Sequence, residues 1–475
     1  MSLVINTNIS SLSAQNNLTK SQSALSSATQ RLSSGLKINS AADNAAGFAI
    51  SQRYTTQIGG LKQASANASD AINLAQTAGS ALDQVTSNLQ AIRDLAVQSA
   101  NGTYTASDRA SINQEVQQRL AEITRIANQT TFNGSNVLNG SLGTKSFQIG
   151  ADVGQTISVN LSTNVKASAM GQVASVSTGS LNLSGVTTGT AAPASTDFST
   201  TSATFTVDGK TVKLDQAYTD KTAMAKAVQS QLDGAAPNTY SVGFDATTGG
   251  LQITNKAVGS SAPVVAGVAA DLTAAFGGTP TTSDLSSTNL SINGKSVSLA
   301  GVKSMQDVSD AINAAGITGV TAAVNGNGDG VNFYSNGALS IDDTSGKIIG
   351  TNATDGNTGK TYVQGTAAQA DGNLANGNVN SVDSANDLIS RIDVALQTVS
   401  NFAAQLGAVQ NRFQSTISTV AAQTTNLQAS QSTIQDADFA AETANLSKAQ
   451  VLQQAGISVL AQANSNPQQV LKLLQ

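Results

Sequence analysis

ISRIDVALQTVSNFAAQLGAVQNRFQSTISTVAAQTTNLQASQSTI, residues 389–434, carries the pattern on which the fold turns. Ile392, Val399, Leu406, Phe413, Val420, Leu427 and Ile434 recur every seven residues without a break. A second row, Ile389, Leu396, Ala403, Gln410, Ile417, Thr424 and Gln431, interleaves with it, so the spacing alternates three and four. Eleven of these fourteen positions are apolar, which draws one narrow stripe along a long helix, the signature of a coiled coil. The 46 residues would extend about 69 Å at 1.5 Å each.

The N-terminal end offers a matching seam. Leu61, Ala68, Ala75, Leu82 and Leu89 keep the seven-residue interval, supported by Ile58, Ile72 and Ile92. Asn101-Gly102 breaks this helix. Thr105 with Asp108 reads as a capping box for a second helix through Ile112, Val116, Leu120, Ile123 and Ala127. Leu18, Leu25 and Leu32 form a further heptad row upstream. Stripes this narrow must be buried against other helices. The chain ends, distant in sequence, are therefore expected to pack side by side as a rod. The final stretch, with Leu446, Leu452, Val459, Leu460 and VLKLLQ at 470–475, puts apolar residues at a chain end. Ends fray unless docked, so this one calls for a partner, most simply another copy.

The middle is rich in Gly and Thr and holds an internal repeat. FTVDGKTVKL at 205–214 matches LSINGKSVSL at 290–299. Asp-Gly and Asn-Gly between alternating apolar residues favour type I′ hairpins. Each copy continues with a helical pattern, Met224, Val228 and Leu232 in one and Met305, Val308 and Ile312 in the other. Each ends in a second hairpin. Val242 and Phe244 are expected to pair with Leu251 and Ile253, and Val320 and Val324 with Val331 and Phe333. The unit reads ββαββ, twice. Phe147, Ile149, Ile157 and Val159 suggest another hairpin near the rod. The fold class is α+β: a long helical coiled-coil rod from both ends, carrying an inserted β-rich region.

Composition narrows the function. The 475 residues, a length suited to about three domains, carry 24 Lys plus Arg and 29 Asp plus Glu, a net charge of −5. Charged residues are 11% against roughly 25% in ordinary chains. Such a sparsely charged surface suits dense packing between subunits, where unpaired charge is penalised. Cys, His and Trp are absent. That removes disulfides, thiolate nucleophiles, the Ser-His-Asp triad and HExxH metal chemistry. The acidic balance argues against nucleic acid. No apolar run is long enough to cross a membrane. MSLVINTNIS lacks a secretory signal, which on its own suggests the cytoplasm.

Three constellations invite chemistry, and each has a plainer explanation. NGNGDG at 325–330 resembles the start of a calcium loop, but its twelfth position is Asn336 where a bidentate carboxylate is required. A hairpin turn explains it better. Ser34 and Lys37 form an SxxK pair without the companion motifs, which leaves a structural turn. Asp436 and Asp438 precede Phe439 and an apolar helix, so helix-start electrostatics accounts for them. No catalytic, cofactor or metal site is expected.

VINTNISSLSAQNNLTKSQSAL at 4–25, RLSSGLKINSAADNAAG at 31–47, LQAIRDLAVQSANG at 89–102 and TTFNGSNVLNG at 130–140 resemble the N-terminal region of bacterial flagellins. QNRFQSTI at 410–417 and AQVLQQAGISVLAQANSNPQQVLKLL at 449–474 resemble their C-terminal region. The repeated units are similar to the hook-IN motif of some flagellins. The resemblance implies a filament subunit for swimming motility with no enzymatic activity. Such a subunit would be exported unfolded through the flagellar type III channel and located outside the cell. It implies four parts: residues 1–42 with 436–475 as inner filament core, 43–175 with 380–435 as rod and hairpin, and outer repeats at 176–285 and 286–379. Core packing would fall to Leu18, Leu25, Leu32, Leu446, Leu452, Val459, Leu460, Leu471 and Leu474. The rod seam would use Leu61, Leu82 and Leu89 with the row Ile392 to Ile434.

Partners implied by the resemblance are other copies of the chain, an export chaperone, and the filament cap and hook–filament junction proteins. Host Toll-like receptor 5 would meet Gln90, Arg93, Leu95, Gln98, Ile112 and Glu115. Strongly activating flagellins carry Arg where this chain has Ala91, so that contact is expected to be weakened. The alternatives are a hook–filament junction protein of the same helical family and a soluble adhesin. A flagellin with a metallopeptidase insert is excluded, because its HExxH motif needs His.

Overall fold

The computed structural model describes residues 8–181, 186–188, 192–193, 195–245, 249–256, 262–268, 275, 279–281, 285, 288–350 and 352–473. Side chains are described for the same residues other than 186–188, 279–281 and 466–473. Among them are α1 (Ile9–Ser34), α2 (Ala45–Ala100), α3 (Ala106–Gln129), α4 (Lys221–Ala235), α5 (Met305–Ala314), α6 (Val382–Gln435) and α7 (Phe439–Leu473). The chain forms two compact units. The first comprises Met1–Thr77, Thr144–Asn160 and Gln405–Gln475; the second comprises Ala78–Gly143 and Leu161–Ala404.

In the first unit α1 packs along α7. The pair is antiparallel: Asn8 Nδ2 donates to the Ala463 carbonyl at 2.8 Å, while Leu36 bridges Asp436 at the other end. The α2 part contributes Ile58, Leu61, Ala64, Ala68, Ala71 and Ala75, all buried at steps of three or four residues. Leu406, Phe413 and Val420 of α6 are buried; Leu427 and Ile434 are half-buried. Gln431 of α6 donates to Thr55 of α2 at 2.7 Å. The expected hairpin forms from strands Gly143–Gln148 and Thr156–Leu161. It docks through Phe147, whose ring meets Phe413 edge-on at 5.7 Å, and through Asn67, which donates to the Gln148 carbonyl. Such an aromatic pair adds about 1 kcal/mol beyond its buried area.

In the second unit the α2 stripe continues through Ala78, Leu82, Val85, Leu89, Ile92 and Ala96, all fully buried. The helix stops before Asn101-Gly102, and α3 starts in a capping box in which Thr105 and Asp108 exchange hydrogen bonds. Val116, Leu120, Ile123 and Ala127 line the buried face of α3. The α6 register differs from the sequence reading in one respect. Ile392 and Val399 are buried, but their companions are Leu388, Ala395 and Phe402 rather than Ile389, Leu396 and Ala403, which are half-buried. Both rows flank the same stripe and both are apolar, so spacing alone could not choose between them. In α2, likewise, Ala71 takes the seam and Ile72 its margin.

Both ββαββ units are present. The first uses Ala203–Val207, Lys210–Leu214, α4, Tyr240–Phe244 and Leu251–Asn255. The second uses Leu290–Ile292, Lys295–Val297, α5, Val320–Val324 and Val331–Ser335. Each has its own apolar cluster, around Phe205, Met224 and Leu251 in one and around Ile292, Val308 and Phe333 in the other. Asp208, Gly209, Asn293 and Gly294 all have positive φ, as type I′ turns require. Val242 opposes Ile253 and Phe244 opposes Leu251, as expected. In the second copy Val324 opposes Val331, but Phe333 faces Ala322 and Val320 faces Ser335. The closing pair beside the turn sets every later partner.

The two turns share a device that motif reading did not reveal. Asp208 and Asn293 each grip a neighbouring segment with main chain and side chain together. Asp208 accepts from Val264 N at 2.7 Å, and Asn293 accepts from Ser340 N at 2.8 Å. Asp208 also accepts from the Tyr240 hydroxyl at 2.8 Å. Burial, then that bond to Asp208, pushes the Tyr240 pKa up to about 12. A raised pKa means that the folded state keeps a proton the unfolded chain has lost. Stability from this group is therefore full below about pH 10 and falls as pH rises toward 12. Far-ultraviolet circular dichroism across this window is expected to show alkaline destabilisation that Tyr240→Phe reduces. The substitution is expected to cost about 1 kcal/mol at neutral pH.

Candidate assembly surface

The α1–α7 pair is built from small contacts. On α1 the inward row is Ser11, Ala14, Leu18, Ser21, Leu25, Ala28 and Leu32; of these only the two alanines are fully buried. On α7 the row is Glu442, Leu446, Ala449, Gln453, Gly456, Leu460 and Ala463. Gly456 sits against Leu18, so the helices approach closely there. What the pair leaves out is larger. Ile9, Leu12, Phe439, Val451, Leu452, Ile457 and Val459 are exposed, seven of the eleven large exposed apolar side chains among the described residues. Val451 and Phe439 keep 64% and 68% of their surface open. Large apolar side chains concentrated in this way on one helix pair make it a candidate interaction surface. The described charges on α1 and α7 are few: Lys20, Arg31, Glu442 and Lys448.

The core-packing residues named from the sequence divide accordingly. Leu18, Leu25, Leu32, Leu446 and Leu460 are half-buried within the pair, whereas Leu452 and Val459 face outward. The side chain of Leu471 and all of Leu474 lie outside the described residues. The rod residues Leu61, Leu82, Leu89, Ile392, Val399, Leu406, Phe413 and Val420 are buried in their units.

The connections around the pair account for two suspected chemical motifs. Gly35 ends α1 with φ +71°, a left-handed cap. Ser34 Oγ contacts the backbone of Leu36, and Lys37 N donates to the Gln435 carbonyl at 2.7 Å. The Ser34–Lys37 pair is thus a turn. Asp438 accepts from the amides of Ala440 and Ala441 and caps α7. Asp436 accepts instead from Ser432 on the preceding helix, so only one of the two acids serves the helix start. Asp43 holds the first connection: bonds from the Ser40 and Asn39 amides keep its carboxyl below the usual range. The NGNGDG stretch closes on itself as a hairpin turn, with Asn325 bonding Asp329 and Gly330.

The receptor-type residues lie in the second unit, on α2 and α3. Gln90, Gln98 and Glu115 are exposed; Arg93, Leu95 and Ile112 are half-exposed. Three have internal partners. Arg93 pairs with Asp393 at 2.7 Å, Glu115 with Arg119 at 2.7 Å, and Gln98 donates to the Tyr104 hydroxyl at 3.0 Å. Sequence reading missed Arg109, which donates to the carbonyls of Ser99, Tyr104 and Asn101 and ties the α2–α3 turn. It also missed Arg391, 5% exposed within α6. Neither stands in a motif.

The N-terminal helical region model of bacterial flagellin matches residues 5–142, and the C-terminal helical region model matches residues 389–474. The flagellin of Salmonella typhimurium strain LT2 is 37% identical over 522 aligned residues, covering 100% of both chains. The B-type flagellin of Pseudomonas aeruginosa is 38% identical over 522, again covering 100% of both. FliC from Burkholderia pseudomallei is a structural neighbour at 26% identity, covering 72% of this chain and 99% of that one, with a TM-score of 0.31.

Replacing Val451 and Ile457 together by Asp tests the exposed face. Analytical ultracentrifugation is expected to show loss of self-association. Helix content should be unchanged, because both side chains are exposed beside α1 and an unpaired charge is penalised only when an interface covers it.

Proposed function

From the premise that the chain belongs to the bacterial flagellin family, we propose how its parts serve a filament. The protein is a structural subunit that polymerises into the extracellular flagellar filament for motility. That location corrects the cytoplasmic expectation drawn from residues 1–10 alone. The junction-protein alternative yields to end-to-end similarity with flagellins. The family is one of structural proteins; for this chain we read polymerisation as the whole activity.

The observation that carries the assignment of parts is the apolar surface left open on α1 and α7. Residues 1–42 and 436–475 would form the inner core, with Leu452 and Val459 contacting other copies and Leu18, Leu25, Leu32, Leu446 and Leu460 joining α1 to α7. Leu471 and Leu474 would extend that contact. Residues 43–175 and 380–435 would form the surrounding layer, and the repeats at 176–285 and 286–379 the outer surface. Apolar helices without partners would travel unfolded through the type III export channel. A chaperone would cover the C-terminal helix until then, and filament cap and junction proteins would meet the same helices during growth. Electron microscopy under polymerising conditions is expected to show filaments from the full chain and only monomers from a chain lacking residues 440–475. Filaments from the truncated chain would overturn the assignment.

Toll-like receptor 5 is a further partner, weakened here. Arg93, Gln98 and Glu115 must exchange internal bonds for receptor contacts, and Ala91 offers no guanidinium anchor. Ala91→Arg is expected to raise receptor signalling in a reporter-cell assay; equal responses from both chains would reject this contact.

A further inference from the structure

The strand Val331–Ser335 is buried on both faces. Val331 and Phe333 enter the second repeat's apolar core. Asn332 and Tyr334 alternate to the opposite face, where the first turns of α6 supply Asp383, Asp387 and Arg391. Between that sheet face and α6, inside the second unit, lies a cavity of about 400 Å³, a size suited to a small molecule. Layers of sheet and helix ordinarily meet through apolar side chains, because buried polar groups are costly without partners. Val176 is the one aliphatic residue on this wall, and it pairs with Phe333, so its side chain enters the apolar core instead. A local rule broken in the interior points to a functional site.

The polar groups are organised, and one is left over. Arg391 donates to Asp387 Oδ2 at 2.6 Å, to the Asn373 carbonyl at 2.8 Å and to Asn357 Oδ1 at 3.0 Å. Asp383 Oδ1 accepts from Asn332 and from Gly326 N. Asp387 Oδ1 is buried with no protein partner. Burial pushes the Asp387 carboxyl up, with Arg391 opposing the shift.

The lining selects a ligand class. Asp371, Asp383 and Asp387 outnumber Arg391 and repel an anion. An apolar ligand finds little aliphatic wall. A metal ion would need three or more grouped ligands, and no such His, Cys, Asp or Glu cluster occurs among the described residues. What remains is a neutral molecule with several hydroxyls to donate and accept. We propose that this cavity binds a neutral sugar ring, with Asp387 Oδ1 accepting a hydroxyl and Asn376 and Asn378 completing its contacts. None of the site's residues lies on α1 or α7, the pair assigned to the inner core.

Saturation-transfer NMR of the full chain with glucose, galactose, mannose and N-acetylglucosamine tests this. At least one is expected to bind saturably, with a Kd of about 1 mM or tighter. Thr358→Trp, on the exposed rim, is expected to abolish binding without changing the circular dichroism. Asp387→Asn is expected to weaken binding about tenfold through one charged hydrogen bond; if that variant does not fold, Thr358→Trp decides. Methyl glycosides that bind as well as free sugars place the ligand at a glycan end, and loss on methylation identifies the free sugar; both support the site. No binding at tens of millimolar, binding untouched by Thr358→Trp, or a sugar-soaked crystal with only water in the cavity would overturn it.

Discussion

An apolar stripe two residues wide gives a long helix no stability of its own; it must be covered by another stripe. This chain carries such stripes near both ends and a β-rich region between them. In the first unit α7 covers α1, and α6 meets α2 through Gln431 and Thr55. In the second, Arg93 of α2 pairs with Asp393 of α6. Folding of the helical parts therefore depends on contacts between residues 300 or more positions apart. Hairpins and apolar clusters within the middle shorten the flexible loop that those contacts must close.

The alanine content follows from that constraint. Ala64, Ala68, Ala71, Ala75 and Ala78 are fully or almost fully buried along α2, where larger side chains would hold neighbouring helices apart. At the α1–α7 pair the same economy leaves large apolar side chains facing solvent. A filament subunit needs this division: small residues join helices within the chain, and large ones wait for other copies. Sparse charge completes it, since each buried unpaired charge would cost several kcal/mol.

Much of this was legible because period is a property of sequence. The heptads of α2 and α6, the break at Asn101-Gly102, the Thr105 capping box and the Asp-Gly and Asn-Gly hairpins each follow from local rules. The choice between Leu388 and Ile389 did not, because both sides of the α6 stripe are apolar and only three-dimensional packing separates them. The grip of Asp208 and Asn293 on a neighbouring segment was hidden, since its partners at 264 and 340 carry no motif. Arg391 and Asp387 were hidden for the opposite reason: i,i+4 charges on a helix read as a solvated face, and here they face a cavity. The assembly surface was half visible. Leu452 and Val459 were named correctly as apolar, but which face they take depends on where α1 lies.

The antiparallel docking of the chain ends has a direct test. A β-carbon at Gly456 would lie 3.8 Å from that of Leu18, the usual separation in a disulfide. The chain contains no Cys, so Leu18→Cys with Gly456→Cys creates a single possible bridge. Assembled filaments of this variant, oxidised and run on a non-reducing gel, should give chains closed by an intramolecular disulfide. Chains that remain open, or that cross-link only to one another, would contradict the pairing of α1 with α7.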